Sequence, residues 1–368
     1  MEKTIKVAVV GLGFGAEFIP IYKDYKQTDC IALCQRNETK LNEMADKFNI
    51  EKRYTDYDEL LKDPEIDAVH INTGIADHAP MAKKALLAGK HVACTVPMAI
   101  SAEECIEIAE LEKKTGKVYM MMETSVYTRE YFYAKEMKNS GIIGDIQFLR
   151  GSHQQNMGLP GWPSYWYGMP PMYYATHAIG PVAALLEKPI ETVRCYGSGR
   201  ISEEYVKQYH SPYAVESTQI KFADSVVTAE VTRSLFDTIR QYRESFDVYG
   251  SKASFEWEQI AGEEHVIYTG FEDANRVSVP DTDKLLPVEI AKYSLRNQIE
   301  DKDHVSFIQG AGHGGSHPHM IVEFISAIRE NRPAEINAKI AANWTMAGIL
   351  SHESAMNGGK EITLPQFD

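Results

Sequence analysis

The segment Lys6-Val7-Ala8-Val9-Val10-Gly11-Leu12-Gly13-Phe14-Gly15-Ala16 constrains the start of this 368-residue chain more than any other stretch. A β-branched apolar run feeds directly into Gly11 and Gly13, and Ala16 completes a G-x-G-x-x-A spacing at the head of a helix-like stretch. Each position has a steric purpose. Gly11 permits a tight turn, Gly13 lets the backbone approach a pyrophosphate, and Ala16 keeps the helix close to the sheet, while the N–H groups at the helix start favour the anion. Phe14 sits inside the same loop and is expected beside the ligand. In the context strand, turn, helix, the motif predicts a Rossmann dinucleotide-binding domain rather than an ordinary connection.

The rest of the first third supports this. Apolar runs at Lys6–Val10, Cys30–Leu33, Ala68–Asn72, His91–Cys94 and Val118–Met121 alternate with helix-like segments, the rhythm of parallel strands joined by crossover helices. Glu38–Phe48 places Leu41, Met44, Ala45 and Phe48 at helical spacing, and Ala79–Ala88 is ended by Gly89. After about Glu123 the pattern changes. Longer strands are expected within Gly144–Gln154, Val193–Arg200, Ser217–Ser234, Tyr242–Trp257 and His265–Gly270, with hairpin turns at Asp224-Ser225 and Gly250-Ser251. Helices return at Pro318–Arg329 and Ile336–Glu353. The expected organisation is an α/β chain: an N-terminal Rossmann domain over 1–124, then a C-terminal α+β domain over 125–368 built on a large open, mainly antiparallel sheet. The final helices are expected to pack back on the first domain.

Charge narrows the partners. A formal net charge of -14 disfavours nucleic acid and anionic membrane surfaces, which reward clustered Lys and Arg. No apolar run approaches the roughly 20 residues of a membrane-spanning helix. Cys30, Cys34, Cys94, Cys105 and Cys195 form an odd set without C-x-x-C spacing, so reduced thiols and a cytoplasmic location are expected, without a disulfide frame or a zinc site.

At the end of the second strand, where an acidic residue usually holds the ribose hydroxyls, stand Gln35, Arg36 and Asn37. Arg36 suits a 2'-phosphate or stacking on adenine. NAD is the expected cofactor, with NADP left open.

The run AGKHVACTVPMAIS resembles the AGKHVLCEKPLA signature of the glucose-fructose oxidoreductase, inositol dehydrogenase and MocA family. The resemblance extends through the glycine loop, INTGIADHAPMAKKALLAGKH with Thr73 and His78, the GDI strand start at Gly144, and His177 at the head of a helix. It implies a nicotinamide-dependent sugar enzyme, with Thr95, Val96 and Pro97 near the cofactor and a homodimer or homotetramer formed through the open sheet. Glu123 closes the fifth strand, where α/β sheets place ligands, and is expected either at ribose or substrate hydroxyls or as a solvated carboxylate at the domain hinge. The departures are informative. The family's Glu-Lys-Pro is here Thr95-Val96-Pro97, and a valine cannot move a proton; the family's D-x-x-x-H pair aligns with Tyr173 and His177. One branch, the NAD-dependent α-N-acetylgalactosaminidases, carries Glu-Val-Pro and a Tyr-Pro-Thr-His-Gly-x-Gly-Pro segment. Here Tyr174-Ala175-Thr176-His177-Ala178-Ile179-Gly180-Pro181 and the GHGG run Gly312–Gly315 are similar to that branch, whereas Thr95 replaces its glutamate and His153 aligns with a tyrosine of its sugar site.

That branch implies redox-neutral cleavage: oxidation at ring carbon 3 with bound NAD, elimination of the group on carbon 1, water addition and reduction. The cycle needs a base for carbon 2 and a proton donor at the leaving oxygen. Tyr174 and His177, three apart at a helix start, are the expected pair, with His153 as a second acid, base or sugar contact. Trp162, Tyr165, Trp166 and Tyr173 offer stacking faces for a sugar ring or, equally, core filling. The histidines of GHGGSHPH invite a metal, but no paired carboxylate follows at ligand spacing, so no metal is expected and His313 is assigned to the substrate. A conventional sugar or polyol dehydrogenase and a catalytically silent regulator are the competing readings.

Overall fold

The computed structural model describes residues 4–158, 161–238, 240, 242–295 and 313–367; Gly312 of the GHGG run lies outside them. The chain forms two compact units. One takes in Met1–Glu123, Asp281–Gln298 and Gly315–Ala342, the other Thr124–Pro280, Ile299–Gly314 and Asn343–Asp368.

The first unit is built on six strands: β1 (Ile5–Val10), β2 (Thr28–Cys34), β3 (Lys52–Tyr54), β4 (Ala68–Ile71), β5 (His91–Thr95) and β6 (Tyr119–Met122). They pair in parallel in the order β3-β2-β1-β4-β5-β6. Helices on a parallel sheet cover both faces, which is why β4 is buried at every residue and β1 at all but one. Helix boundaries follow side-chain capping. Asn37 accepts from the Lys40 N–H ahead of Glu38–Phe48, Asp56 caps Tyr57–Lys62, and Ser101 caps Ala102–Thr115, which Gly116 ends at φ 65°. The sequence reading missed β3, whose three residues at the sheet edge are too few to show a period.

In the second unit nine strands form one sheet: β7 (Ile146–Gln155), β8 (Ile190–Ser198), β9 (Val215–Phe222), β10 (Thr228–Ser234), β11 (Tyr242–Gly250), β12 (Ser254–Glu256), β13 (His265–Tyr268), β14 (Ala274–Val277) and β15 (Ile362–Thr363). The order is β14-β13-β12-β11-β7-β10-β9-β8-β15. Only β7 and β10 pair in parallel among these neighbours, so the sheet is mixed and mainly antiparallel. Asp224, at φ 50°, makes the expected turn between β9 and β10. β14 and β15 were not expected, because their short, exposed or terminal segments lack alternation.

The helix Thr176–Leu186 covers one face of this sheet and is buried along nearly its whole length. Gly151 on β7 makes this possible, since a Cβ there would strike the Ala178 carbonyl. The register then lines up four charged or titratable residues on the covered face: Glu216 on β9 pairs with Arg233 on β10, Arg233 with His153 on β7, and His153 with Glu244 on β11.

Candidate active site

Two sites, one in each unit, collect the residues singled out from the sequence. In the first unit, Gly11 turns at φ 84°, and a Cβ there would collide with the Asn72 carbonyl. A Cβ at Gly13 would meet nothing, so the loop opens outward at that point. A 3-10 turn, Phe14–Phe18, containing Ala16, begins directly after Gly13 with no side chain capping its N–H groups, and continues into the helix Ile19–Asp24. Close approach, open space and uncapped donors are what a diphosphate requires, so this loop fits a dinucleotide. Phe14 packs edge-on against Phe18 and His317, with centroids 5.2 and 5.5 Å away. At the end of β2, Gln35 N–H donates to Tyr54 O, and the Arg36 side chain is exposed.

His78 gathers the next group. Its Nδ1 lies 2.8 Å from Pro97 O, and its Nε2 lies 3.2 Å from Thr73 O and 3.3 Å from Thr95 Oγ1. Burial lowers the pKa of His78, so a neutral imidazole ties the ends of β4 and β5 together. Val96 is buried beside it, and Glu123 is fully buried where β6 ends. The other two histidines of GHGGSHPH serve this unit: His317 Nδ1 stands 3.6 Å from Glu17 Oε2, and His319 Nε2 stands 2.7 Å from Thr282 Oγ1.

In the second unit a cavity of about 330 Å³ is lined by Thr128, His177, Tyr242, Glu244, Trp257 and His313, among others. His177 is its centre. Nε2 lies 3.2 Å from the Tyr174 hydroxyl, while Nδ1 lies 3.3 Å from Thr124 Oγ1 and 3.5 Å from Glu244 Oε1. A carboxylate and a hydroxyl at Nδ1 favour the tautomer protonated there, which leaves Nε2 to accept from Tyr174. Tyr242 donates to Glu244 Oε2 at 2.6 Å, and burial followed by the Glu244 charge raises its pKa well above the usual phenol value, so it stays a donor. Thus Glu244 is held between a phenol and an imidazole.

His153 stands edge-on to His177, centroids 4.9 Å apart, and 5.4 Å from Tyr242. Burial, then the positive charges of Arg233, His177 and His313, drive its pKa well below the ordinary value. Both its ring nitrogens are buried without a hydrogen-bond partner among the described residues, and the ring does not itself line the cavity. His313 lies 6.2 Å from His177, nearly parallel to it.

Beneath them Arg233 is fully buried, and desolvation pushes its pKa down to about 9. It donates from Nε to Tyr174 O (2.7 Å), from Nη1 to His153 O (3.1 Å) and Ser234 O (2.6 Å), and from Nη2 to Gln155 Oε1 (3.0 Å).

The aromatic stretch divides. Trp166 packs edge-on to Tyr174 at 4.8 Å, with Trp162 and Tyr165 against it at 6.1 and 5.3 Å. Tyr173 turns to His352, which is 2.6 Å from the buried Glu216. None of these four aromatics lines the cavity. The sequence reading missed Thr124, Arg233, Tyr242, Glu244 and Trp257. A signal was present for two of them: Arg233 shares strand parity with Ala229 and Val231, and Glu244 with Phe246 and Val248, so each is a charge in an otherwise buried row.

Comparison with known proteins agrees with both halves. Residues 5–123 match the oxidoreductase family, NAD-binding Rossmann fold, and residues 291–368 match the C-terminal domain of glycosyl hydrolase 109. The chain is 24% identical over 402 residues to an alpha-N-acetylgalactosaminidase of Shewanella oneidensis, covering 99% of this chain and 85% of that one. It is 25% identical over 399 residues to a glycosyl hydrolase family 109 protein of Streptomyces filamentosus, covering 100% and 78%. In fold it is similar to a NAD binding oxidoreductase from Klebsiella pneumoniae (TM-score 0.81, 18% identity, 99% and 100% covered). A scyllo-inositol dehydrogenase from Lactobacillus casei, solved with NAD(H) and scyllo-inositol, is also similar (TM-score 0.75, 18% identity, 98% and 99% covered). The chain is thus similar over its first third to the oxidoreductase family with a NAD-binding Rossmann fold, and over its last 78 residues to the C-terminal domain of glycosyl hydrolase 109.

Proposed function

We propose that this protein is a NAD-dependent enzyme that cleaves a glycoside in a redox-neutral cycle of oxidation, elimination, water addition and reduction. The observation that carries the reading is the chain of contacts Glu244, His177, Tyr174, of which Glu244 and His177 line the cavity of the second unit and Tyr174 stands behind His177, an acid-base relay without the lysine that Val96 replaces. The glycosyl hydrolase 109 match and the galactosaminidase name of a relative support a glycoside as the substrate class.

Gly11, Gly13, Phe14 and Ala16 would hold NAD, which when bound would supply reversible hydride transfer at ring carbon 3 and so acidify the hydrogen on carbon 2. Tyr174 takes the proton from carbon 2 and passes it to His177 Nε2 across their hydrogen bond. Glu244, fixed by the Tyr242 hydroxyl, stabilises the imidazolium so formed through Nδ1. His153, neutral and with both nitrogens available, hydrogen-bonds a sugar hydroxyl, and His313 closes the cavity over the ring. The elimination breaks the bond to the group on carbon 1, which leaves as the alcohol with a proton from the relay, and water then adds across the double bond, its hydroxyl to carbon 1 and a proton to carbon 2.

The five cysteines are unpaired and buried, which suits a reducing cytoplasm. We also assign the outward face of the nine-stranded sheet to a homodimer or homotetramer.

The test is incubation with a panel of aryl glycosides in deuterated water, with and without added NAD. Aglycone release with deuterium at carbon 2 and no net NADH is the expected result. Stoichiometric NADH with intact glycoside would replace this reading with a dehydrogenase, and no turnover across the panel would leave a dinucleotide-binding regulator.

A further inference from the structure

A buried cation normally comes with a carboxylate, because the charge loses its hydration on entering the interior. Arg233 breaks that expectation. All four of its hydrogen bonds go to neutral acceptors, three main-chain carbonyls and the Gln155 amide. Among the described residues no carboxylate reaches ion-pair distance of it. Glu216, its partner across the sheet on β9, is engaged elsewhere: Oε1 by His352 at 2.6 Å and Oε2 by the Met172 N–H at 2.8 Å. Glu244 lies beyond His153 in the same row and is engaged by Tyr242 and His177. The guanidinium carbon instead sits 5.3 Å from the centre of the Tyr174 ring.

We propose that Arg233 is a positioning residue for the relay: it fixes the main chain at Tyr174 and His153, and it places an uncompensated positive charge beneath the Tyr174 ring, so that Tyr174 serves as the base. This rests on the function proposed above. Two consequences follow from the geometry. The Nε bond to Tyr174 O holds the 3-10 turn Pro171–Tyr174 at the height where its hydroxyl meets His177. The charge stabilises the phenolate against the groups that oppose it around the same ring, Glu244 and Tyr242 on β11, while His177 on the helix and His153 on β7 complete the surround. The low pKa of Arg233, set by desolvation and opposed first by Tyr174, has the same physical origin. A negative charge arriving on Tyr174 relieves the buried cation, so the two groups ionise favourably together.

The experiment needs no substrate. Protein carrying tyrosine labelled with carbon-13 at Cζ is titrated by NMR, the Tyr174 resonance being identified by its loss in Tyr174→Phe. In Arg233→Gln, which keeps amide donors and removes the charge, the Tyr174 midpoint rises by about one pH unit or more, a tenfold loss of phenolate. Arg233→Lys, which keeps the charge and loses the fork, retains most of the wild-type midpoint; it also carries the test if the glutamine variant does not fold. An unchanged midpoint in a folded Arg233→Gln protein, or in Arg233→Lys a rise of a full pH unit despite the retained charge, overturns the proposal. A shifted midpoint with no turnover on any glycoside would instead count against the proposed reaction, so the two failures are distinct.

Discussion

His177 Nε2 and the Tyr174 hydroxyl meet at 3.2 Å although they belong to different elements, a 3-10 turn ending at Tyr174 and a helix beginning at Thr176. Ala175, at φ −106° and ψ 1°, makes the join. The contact therefore depends on the hinge between turn and helix as much as on either side chain.

His177→Ala removes the proton acceptor at the centre of this contact. Turnover is expected to fall on the order of 10²–10⁴-fold, the range for losing one acid-base group. Titration with NAD should be unchanged, since no residue of the glycine loop is touched; retained turnover would take His177 out of the reaction.

Glu244→Gln keeps an acceptor for Tyr242 but removes the charge facing His177 Nδ1. A drop in kcat of about tenfold to a hundredfold is expected, with little change in melting temperature. Equal kcat values for variant and wild type would show that the imidazolium needs no carboxylate.

Gly11→Ala forces a side chain into a left-handed turn, a cost of about 1–2 kcal/mol, and into the Asn72 carbonyl as well. Loss of NAD binding and a lower melting temperature should appear together. A variant that binds NAD with wild-type affinity would mean the loop has more room than its geometry shows.

Acid should weaken the first unit through its buried histidines. Burial holds His70 and His317 down to about 3 and His319 down to about 4, below the ordinary value of 6.5. The unfolded chain therefore binds more protons, so stability is whole above about 6.5 and declines as pH falls toward 3, by about 1.4 kcal/mol per pH unit for each such histidine. Unfolding curves across that window test this, and His70→Phe should flatten them.

The thiols should be inert in the native protein. Burial pushes Cys30 and Cys34 up to about 12 and raises Cys94, Cys105 and Cys195 further. A disulfide reagent should release colour only after denaturant is added, and rapid release before that would place at least one thiol in contact with solvent.

Much of the nucleotide-binding half was legible because its signals are local. A turn that needs Gly11, a cap that needs Asn37 and a run such as Val7–Val10 act within a few residues of themselves, and the strands fell close to where the apolar runs lay. That His177 and Tyr174 would meet was legible for the same reason, being three positions apart. Glu244 and Arg233 were harder to read, because what makes them special is register: each is brought beside His153 only by strand pairing across about 80 and 90 residues of chain. Aromatic density left two readings open. Trp162, Tyr165, Trp166 and Tyr173 advertise a sugar platform, but local sequence does not say which way a 3-10 turn faces, and Tyr173 turns to His352.

The transverse row Glu216, Arg233, His153, Glu244 also determines which kinds of genetic change the second unit can absorb. Neighbouring residues of a strand face opposite sides, so inserting or deleting one amino acid inside β10 would carry Arg233 out to solvent and bring Thr232 or Ser234 in. Several substitutions on the outward side would do less harm than that single change of length. The spacing from the turn at Asp224 to Arg233 is thus a ruler for the layer behind the cavity, and in-frame gains or losses of a single residue should be far rarer there than exchanges of one side chain for another.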